Sequence, residues 1–206
     1  MAVTSELLKR ILFFLIGLIL IALGISVTII ADFGCGGWDA TNIALVRHFG
    51  LSVGTWLNIW AFVYLLVACM IERKRYRIEC MATSLIIGAG VDLFNYLLRF
   101  AVFEEAWLKP LVFILGTIII SLGAGFYLVS KLPPNPTDYM MMCIKEHFHL
   151  SITFAKTLVE AIGIVLALLL GGPVGIGTFL MIVIFGPCID FFYQIAEHFY
   201  QRISRA

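Results

Sequence analysis

Residues 17–52, GLILIALGISVTIIADFGCGGWDATNIALVRHFGLS, and residues 116–151, GTIIISLGAGFYLVSKLPPNPTDYMMMCIKEHFHLS, state one pattern twice. Laid over each other without a gap, Gly17 meets Gly116, and Leu23 and Gly24 meet Leu122 and Gly123. Asp39 meets Asp138, His48 and Phe49 meet His147 and Phe148, and Leu51 and Ser52 meet Leu150 and Ser151. After a one-residue deletion, Gly88, Asp92 and Phe94 fall on Gly186, Asp190 and Phe192. Glycines, acids and an HFxLS string held in one register read as an internal repeat, so each copy is one structural unit.

The content of the unit decides its solvent. Ile11 to Ala31, Gly50 to Ile71 and Pro110 to Ser130 are uncharged runs of 21, 22 and 21 residues. A helix crossing a bilayer needs roughly 20 such residues. The whole chain is 62% hydrophobic and 13% charged, against about 45–50% and about 25% in soluble domains. The first run exceeds the roughly 7–15 residues of a secretory signal core, and no small-residue cleavage site follows it. It reads as a retained first helix.

Each unit then has the same order. A long helix (11–31, then 110–130) leads into a breaking loop, Gly34-Cys35-Gly36-Gly37 or Pro133-Pro134-Asn135-Pro136. A short helix follows (38–49, then 137–148), and two long helices close the unit (52–71 and 78–99, then 151–170 and 175–197). Twelve residues make about 18 Å of helix at about 1.5 Å each, too short for a hydrocarbon core of about 30 Å. The short helices are therefore re-entrant or interfacial. Three crossings per unit is an odd number, so the units have opposite orientations.

The predicted fold is an all-α membrane protein of six transmembrane helices. It is built as two inverted-topology repeats of three spans, residues 1–105 and 106–206. Lys9, Arg10, Arg73, Lys74, Arg75, Arg77, Lys131, Lys145, Arg202 and Arg205 then fall on one side. Arg47, Arg99 and Lys109, with Glu104 and Glu105, fall on the other. The positive-inside rule makes both termini cytoplasmic.

Composition also narrows the function. A net charge of +1 without a basic tract gives no basis for nucleic acid binding. Cys35, Cys69, Cys80, Cys143 and Cys188 show no metal or redox spacing, and no disulfide framework is expected. His147 and His149 do not share a helix face, so no metal is expected. Without a Walker loop, nucleophile elbow or HExxH motif, neither an enzyme nor a bound cofactor is expected.

The polar residues inside apolar runs are the site candidates. Asp39 and Asp138 open the short helices, where a carboxylate caps backbone N–H groups; the same position lines a polar site if the broken segments meet between the units. Glu160 sits mid-helix, where a lipid-facing carboxylate is costly. Its repeat partner is Ala61, and Lys156 is one turn earlier, so the two form a structural pair or Glu160 titrates along a path.

Asp92 and Asp190 lie one turn after Gly88 and Gly186 on one face, with Asn95 and Gln194 extending the polar stripe. That suits helix packing or a pathway. Trp38, Trp56, Trp60 and Trp107 suggest an interfacial belt, with Trp60 set deeper. The candidates for substrate binding or coupling are Asp39, Asp138, Glu160, Trp38, Asn42, Asn135, Asn58, Asp92 and Asp190. Gly17 with Gly24, and Gly116 with Gly123, share a face two turns long that suits close helix approach.

The string Ile30-Ala31-Asp32-Phe33-Gly34-Cys35-Gly36-Gly37-Trp38-Asp39 resembles the AxxGxxPWD stretch of the bacterial YczE/YyaS/YitT membrane proteins. Leu51-Ser52-Val53-Gly54-Thr55-Trp56 resembles their LSxGTW. Gly175-Ile176-Gly177-Thr178, followed by Gly186-Pro187-Cys188-Ile189-Asp190, resembles their GxGTxxxxxxxGPxID. Gly37 departs from the proline usual before Trp-Asp, although Pro136 keeps it in the second half, and Glu79-Cys80 stands where the second half has Gly177-Thr178. The resemblance implies a bacterial cytoplasmic-membrane protein, with export of small molecules proposed for relatives.

The expected function is secondary transport of a small molecule, by alternating access of the two repeats around a midplane site. The alternatives are a non-transporting scaffold or regulatory partner and a substrate-binding subunit of a larger transporter. Expected partners are the lipid bilayer, an unknown small-molecule substrate, and a second copy or another membrane protein.

Overall fold

The computed structural model describes residues 2–72, 78–103 and 105–205, and its regular structure is helical. The helices are α1 (Ala2–Ile30), α2 (Gly37–Phe49), α3 (Val53–Glu72), α4 (Glu79–Leu97), α5 (Leu108–Val129), α6 (Pro136–Phe148), α7 (Ile152–Leu169) and α8 (Ile176–Arg205). No strand occurs among the described residues. The order is the expected one, long, short, long, long, given twice; α8 alone runs well past its expected end and on to Arg205. Arg73, Lys74, Arg75, Arg77 and Glu104, which carried part of the charge argument, lie outside the described residues.

Among the described residues, α1, α3, α4, α5 and α8 are long and apolar enough to cross a bilayer. Leu12, Ile16, Ile19, Phe62, Leu111, Ile114, Ile118 and Val183 are exposed. In water that would be a large apolar surface, whereas lipid tails solvate it at no cost.

The centre of the molecule is an antiparallel crossing of α1 and α5, made by the four glycines. A Cβ on Gly17 would lie 2.7 Å from the Gly123 carbonyl, and one on Gly24 would lie 2.8 Å from that of Gly116. The reverse contacts, Gly123 to the Gly17 oxygen at 2.7 Å and Gly116 to the Gly24 oxygen at 3.1 Å, are equally close. Where backbones touch in this way, packing and not water exclusion holds membrane helices together. Leu18 and Ala22 on α1 and Ile120 on α5 are buried around the seam.

The other helices add to this axle in matched pairs. α4 packs on α1 and α8 on α5; α6 packs on α3 and α2 on α7. Backbone conformation matches at one aligned pair and differs at another. Asp32 and Lys131 both have φ near +50° (48° and 54°). Gly50 and His149 both have positive φ, 73° and 53°, but their ψ values are −150° and 38°. Lys9 Nζ donates to the Ile203 carbonyl at 3.0 Å, and Tyr200 Oη donates to Glu6 at 2.5 Å. Both chain ends thus lie at one end of the bundle, while the Lys109–Asp32 ion pair of 2.6 Å ties α5 to the loop after α1 at the other.

One pair breaks the match. In the first half, α3 and α4 are clasped: a Cβ on Gly88 would lie 2.8 Å from the Gly54 oxygen. Asp92 accepts from Gly54 N–H at 2.8 Å and from Ser52 Oγ at 2.5 Å, and Ser84 Oγ donates to Asn58 Oδ1 at 2.8 Å. In the second half α7 and α8 barely touch. Gly186 has open space where Gly88 has a neighbour, and Asp190 and Gln194 are exposed. The packing role expected of Gly88 and Asp92 is realised; Gly186 and Asp190 do not pack in the same way. Gly186 precedes Pro187, which removes a helical donor within α8.

Candidate functional site

The short helices start deep in the bundle. α2 begins against the middle of α7, where Trp38 Nε1 donates to the Val159 carbonyl at 3.0 Å and Thr41 Oγ1 to the Gly163 carbonyl at 2.7 Å. It ends at the C-terminal end of α7, where His48 Nε2 meets the Leu170 carbonyl at 2.9 Å. α2 therefore runs from the middle of α7 to its C-terminal end. Gly37 permits the approach, since a Cβ there would lie 2.9 Å from the Glu160 carbonyl oxygen and 2.7 Å from Ile164 Cγ1.

The helix starts correct the expected capping role. Asp39 and Asp138 are in the first turn but neither is the N-cap. Gly36 caps α2 with no side-chain bond, and Asn135 caps α6, its side chain accepting from Thr137 N–H. The Asp138 carboxylate instead accepts from Tyr127 Oη at 3.3 Å, and Tyr127 Oη in turn accepts the Asn135 N–H at 2.8 Å.

Glu160 supplies what α2 lacks. Its carboxylate faces the Gly37 backbone N–H, which acts on it electrostatically. In the sequence register that sets Gly17 on Gly116, the other half has neither partner. Pro136 holds the Gly37 position in α6 and has no N–H to satisfy, and Ala61 holds the Glu160 position in α3. The glycine and the glutamate answer each other.

The expected pairing of Lys156 with Glu160 is not made. The two make no ion pair within 4 Å, and the Lys156 ammonium lies 4.7 Å above the centre of the Phe185 ring, across the gap to α8. Its field still reaches Glu160, as does that of Asp138. Asp39 also lies within electrostatic reach of Glu160.

An aromatic wall closes the α3 side. Trp38 meets Trp60 and Tyr64 edge-to-face with ring centres 4.9 Å apart in both cases, and Trp60 stacks on Tyr64 at 6.1 Å. These rings pack with Tyr139 of α6 and Val159 of α7, so both short helices start at one cluster. Trp38 and Trp60 belong to this interior and not to an interfacial belt. Two polar atoms here are buried without a hydrogen-bond partner, Asn42 Oδ1 and Trp60 Nε1.

The structure thus brings together Asp39, Trp38, Asn42, Asp138 and Glu160. Asn135 serves as a cap, Asn58 and Asp92 hold α3 to α4, and Asp190 faces outward. Tyr64 is the participant that sequence reasoning missed; its spacing of one turn from Trp60 was the available signal. Glu72 was missed too. It accepts from Tyr139 Oη at 3.2 Å and from Cys143 Sγ at 3.0 Å, tying α3 to α6. Burial, reinforced by Glu72, pushes the Cys143 thiol up to about 12, so the sulfur remains a neutral donor.

An all-helical bundle with apolar spans and a polar interior defines an integral membrane protein. Residues 8–194 match the model of a family of unknown function, DUF6198. The chain belongs to that family. It is 32% identical to the uncharacterized protein YyaS of Bacillus subtilis over 92% of its length and 96% of the relative's. It is also 32% identical to the uncharacterized membrane protein YczE of the same organism, over 91% and 86%. An uncharacterized protein of Haemophilus influenzae is 24% identical over 91% and 84%. No solved structure matches.

Proposed function

We propose that the chain is a secondary transporter of a small molecule. It works by alternating access of two inverted-topology repeats, with α7 as the sixth span and both termini in the cytoplasm of a bacterial cell. The observation that carries this reading is the inequality of two equivalent helix pairs. α3 and α4 are clasped through Gly54, Gly88 and Asp92, whereas Gly186 and Asp190 of α8 stand free of α7.

Two inverted halves of one design in unequal states describe one end of a rocking cycle. Exchanging the two conformations gives the other end, with Asp190 brought to the Ser151 end of α7 and Asp92 released from Ser52. The polar cluster at the starts of α2 and α6 is then reached from opposite sides in turn, as in other inverted-repeat carriers. The reciprocal Gly17–Gly123 and Gly24–Gly116 contacts form the axis about which the halves exchange. No nucleotide-binding motif is present in the sequence, so an ion gradient is the driving force.

The test is flux in proteoliposomes containing this chain alone, with an imposed proton or sodium gradient and a panel of small metabolites. Gradient-dependent accumulation of a panel member is expected. Binding without flux, or no flux for any member while the protein remains folded, would overturn the reading in favour of a binding subunit or scaffold.

A further inference from the structure

The polar cluster is lopsided in charge and in hydrogen-bonding character. Glu160 lies within electrostatic reach of both Asp39 and Asp138, which gathers three carboxylates around it. Lys156 is the cation that acts on Glu160, and its ammonium is held on the Phe185 ring. The N-termini of α2 and α6 each contribute about half a positive charge. With the carboxylates ionised, about one negative charge is left without a counter-charge inside the bundle. Buried charges are paired or neutralised, and one monovalent cation bound here balances the cluster.

The surroundings define what kind of cation. The faces of Trp38, Trp60 and Tyr64 carry the negative quadrupole that attracts organic ammonium groups, and their ring centres are 4.9–6.1 Å apart. Asn42 is 2% exposed, and its amide oxygen has no partner. It lies between Trp38 and Asp39 on the helical wheel of α2, one turn further on, and so belongs to the same face. It is an acceptor waiting for a donor. No hydrogen bond reaches the Asp39 carboxylate from the described residues. Trp60 Nε1 is buried and unpartnered as well and offers one donor to a polar group on the ligand.

We propose that the cluster formed by Trp38, Asp39, Asn42, Trp60, Tyr64 and Glu160 binds a small organic cation, a protonated amine attached to an apolar or aromatic body. The ammonium donates to Asp39 and Asn42, and the body lies on the aromatic wall. Glu160 stays facing the Gly37 N–H and completes the negative field. The inference rests on the transporter reading for its route in and out of the membrane, but the binding chemistry stands by itself.

The experiment uses the full chain in detergent micelles, with benzylammonium as the probe and benzyl alcohol and benzoate as its neutral and anionic counterparts. Binding is followed by tryptophan fluorescence. Saturable binding of benzylammonium is expected, at least tenfold tighter than either counterpart and not displaced by equimolar potassium. Asp39→Asn should weaken it at least tenfold with an unchanged melting temperature, and Trp60→Phe should weaken it and remove most of the fluorescence change.

Equal affinity for benzyl alcohol, preference for benzoate, or displacement by potassium would overturn the proposal. If Asp39→Asn does not fold, Trp60→Phe and the wild-type probe series decide. Failure of the two readings looks different. Cation binding without gradient-driven flux removes transport and leaves the site. Flux of a neutral or anionic solute that benzylammonium does not inhibit removes the site and leaves transport.

Discussion

Gly88 and Gly186 occupy one position of the repeated pattern in opposite surroundings, which makes them a matched pair for measurement. A Cβ on Gly88 would sit 2.5 Å from Asn58 Nδ2 and 2.8 Å from the Gly54 oxygen, far inside the 3.4 Å of ordinary contact. Overpacking of this kind costs about 1–3 kcal/mol. Gly186 has nothing within 4 Å. Replacing either glycine with alanine also gains up to about 1 kcal/mol of helix propensity, and that gain cancels in the comparison.

Gly88→Ala should therefore be less stable than Gly186→Ala by about 1–3 kcal/mol, with Gly186→Ala at or above wild type. The assay is unfolding in mixed micelles of increasing sodium dodecyl sulfate, followed by far-ultraviolet circular dichroism. A second readout concerns the cycle. A methyl group at position 186 obstructs the exchanged state in which α8 closes on α7, so Gly186→Ala should lose flux while keeping or gaining stability. Equal unfolding midpoints for the two variants would refute the asymmetry, and full flux in Gly186→Ala would refute closure of that pair.

Gly24→Leu and Gly123→Leu should each lower the folded yield, because both side chains would enter the α1–α5 seam; a wild-type size-exclusion profile and melting temperature for both would contradict that seam. Glu160→Ala removes the carboxylate that faces the Gly37 N–H and should cost about 1–3 kcal/mol. Glu160→Gln keeps an acceptor and should melt near wild type while flux loses its pH dependence; full pH-dependent flux in that variant would make the residue structural only. In a background with blocked native thiols, Lys131→Cys and Arg202→Cys should react with an impermeant maleimide from the cytoplasmic side and Glu105→Cys from the other; labelling of the first two from different sides would end the six-span arrangement.

The helix order and the glycine seam were legible in the sequence for a simple reason. Gly17, Gly24, Gly116 and Gly123 recur at a spacing of two turns inside apolar runs, and only backbone contact rewards that spacing in lipid. The short helices were legible too, because a breaking loop before each and an HFxLS string after each leave room for about a dozen residues, and both are 13 residues long. The capping roles were misread because Asp39 and Asp138 look like caps in isolation, while Asn135 caps α6 and Glu160 faces the start of α2 from a helix more than a hundred residues away. The linkage of Gly37 with Glu160 requires knowing that α2 lies on α7. The unequal packing of α4 and α8 was not legible at all, because Gly88-Asp92 and Gly186-Asp190 are the same signal, and a pattern that two arrangements satisfy cannot select between them.

The α1–α5 seam also imposes an order on biosynthesis. α1 leaves the ribosome before α5, and its glycine face, Gly17 and Gly24, is closed by Gly123 and Gly116 of α5. Three helices and their loops are made before α5 arrives. Until then α1 can lean on α4, but its narrowest strip stays open to lipid or to whatever insertion factor attends the nascent chain. A chain interrupted before residue 108 is left with that strip uncovered. A second polypeptide carrying residues 106–206 brings the missing surface, so the two pieces made separately in one cell should find each other through it.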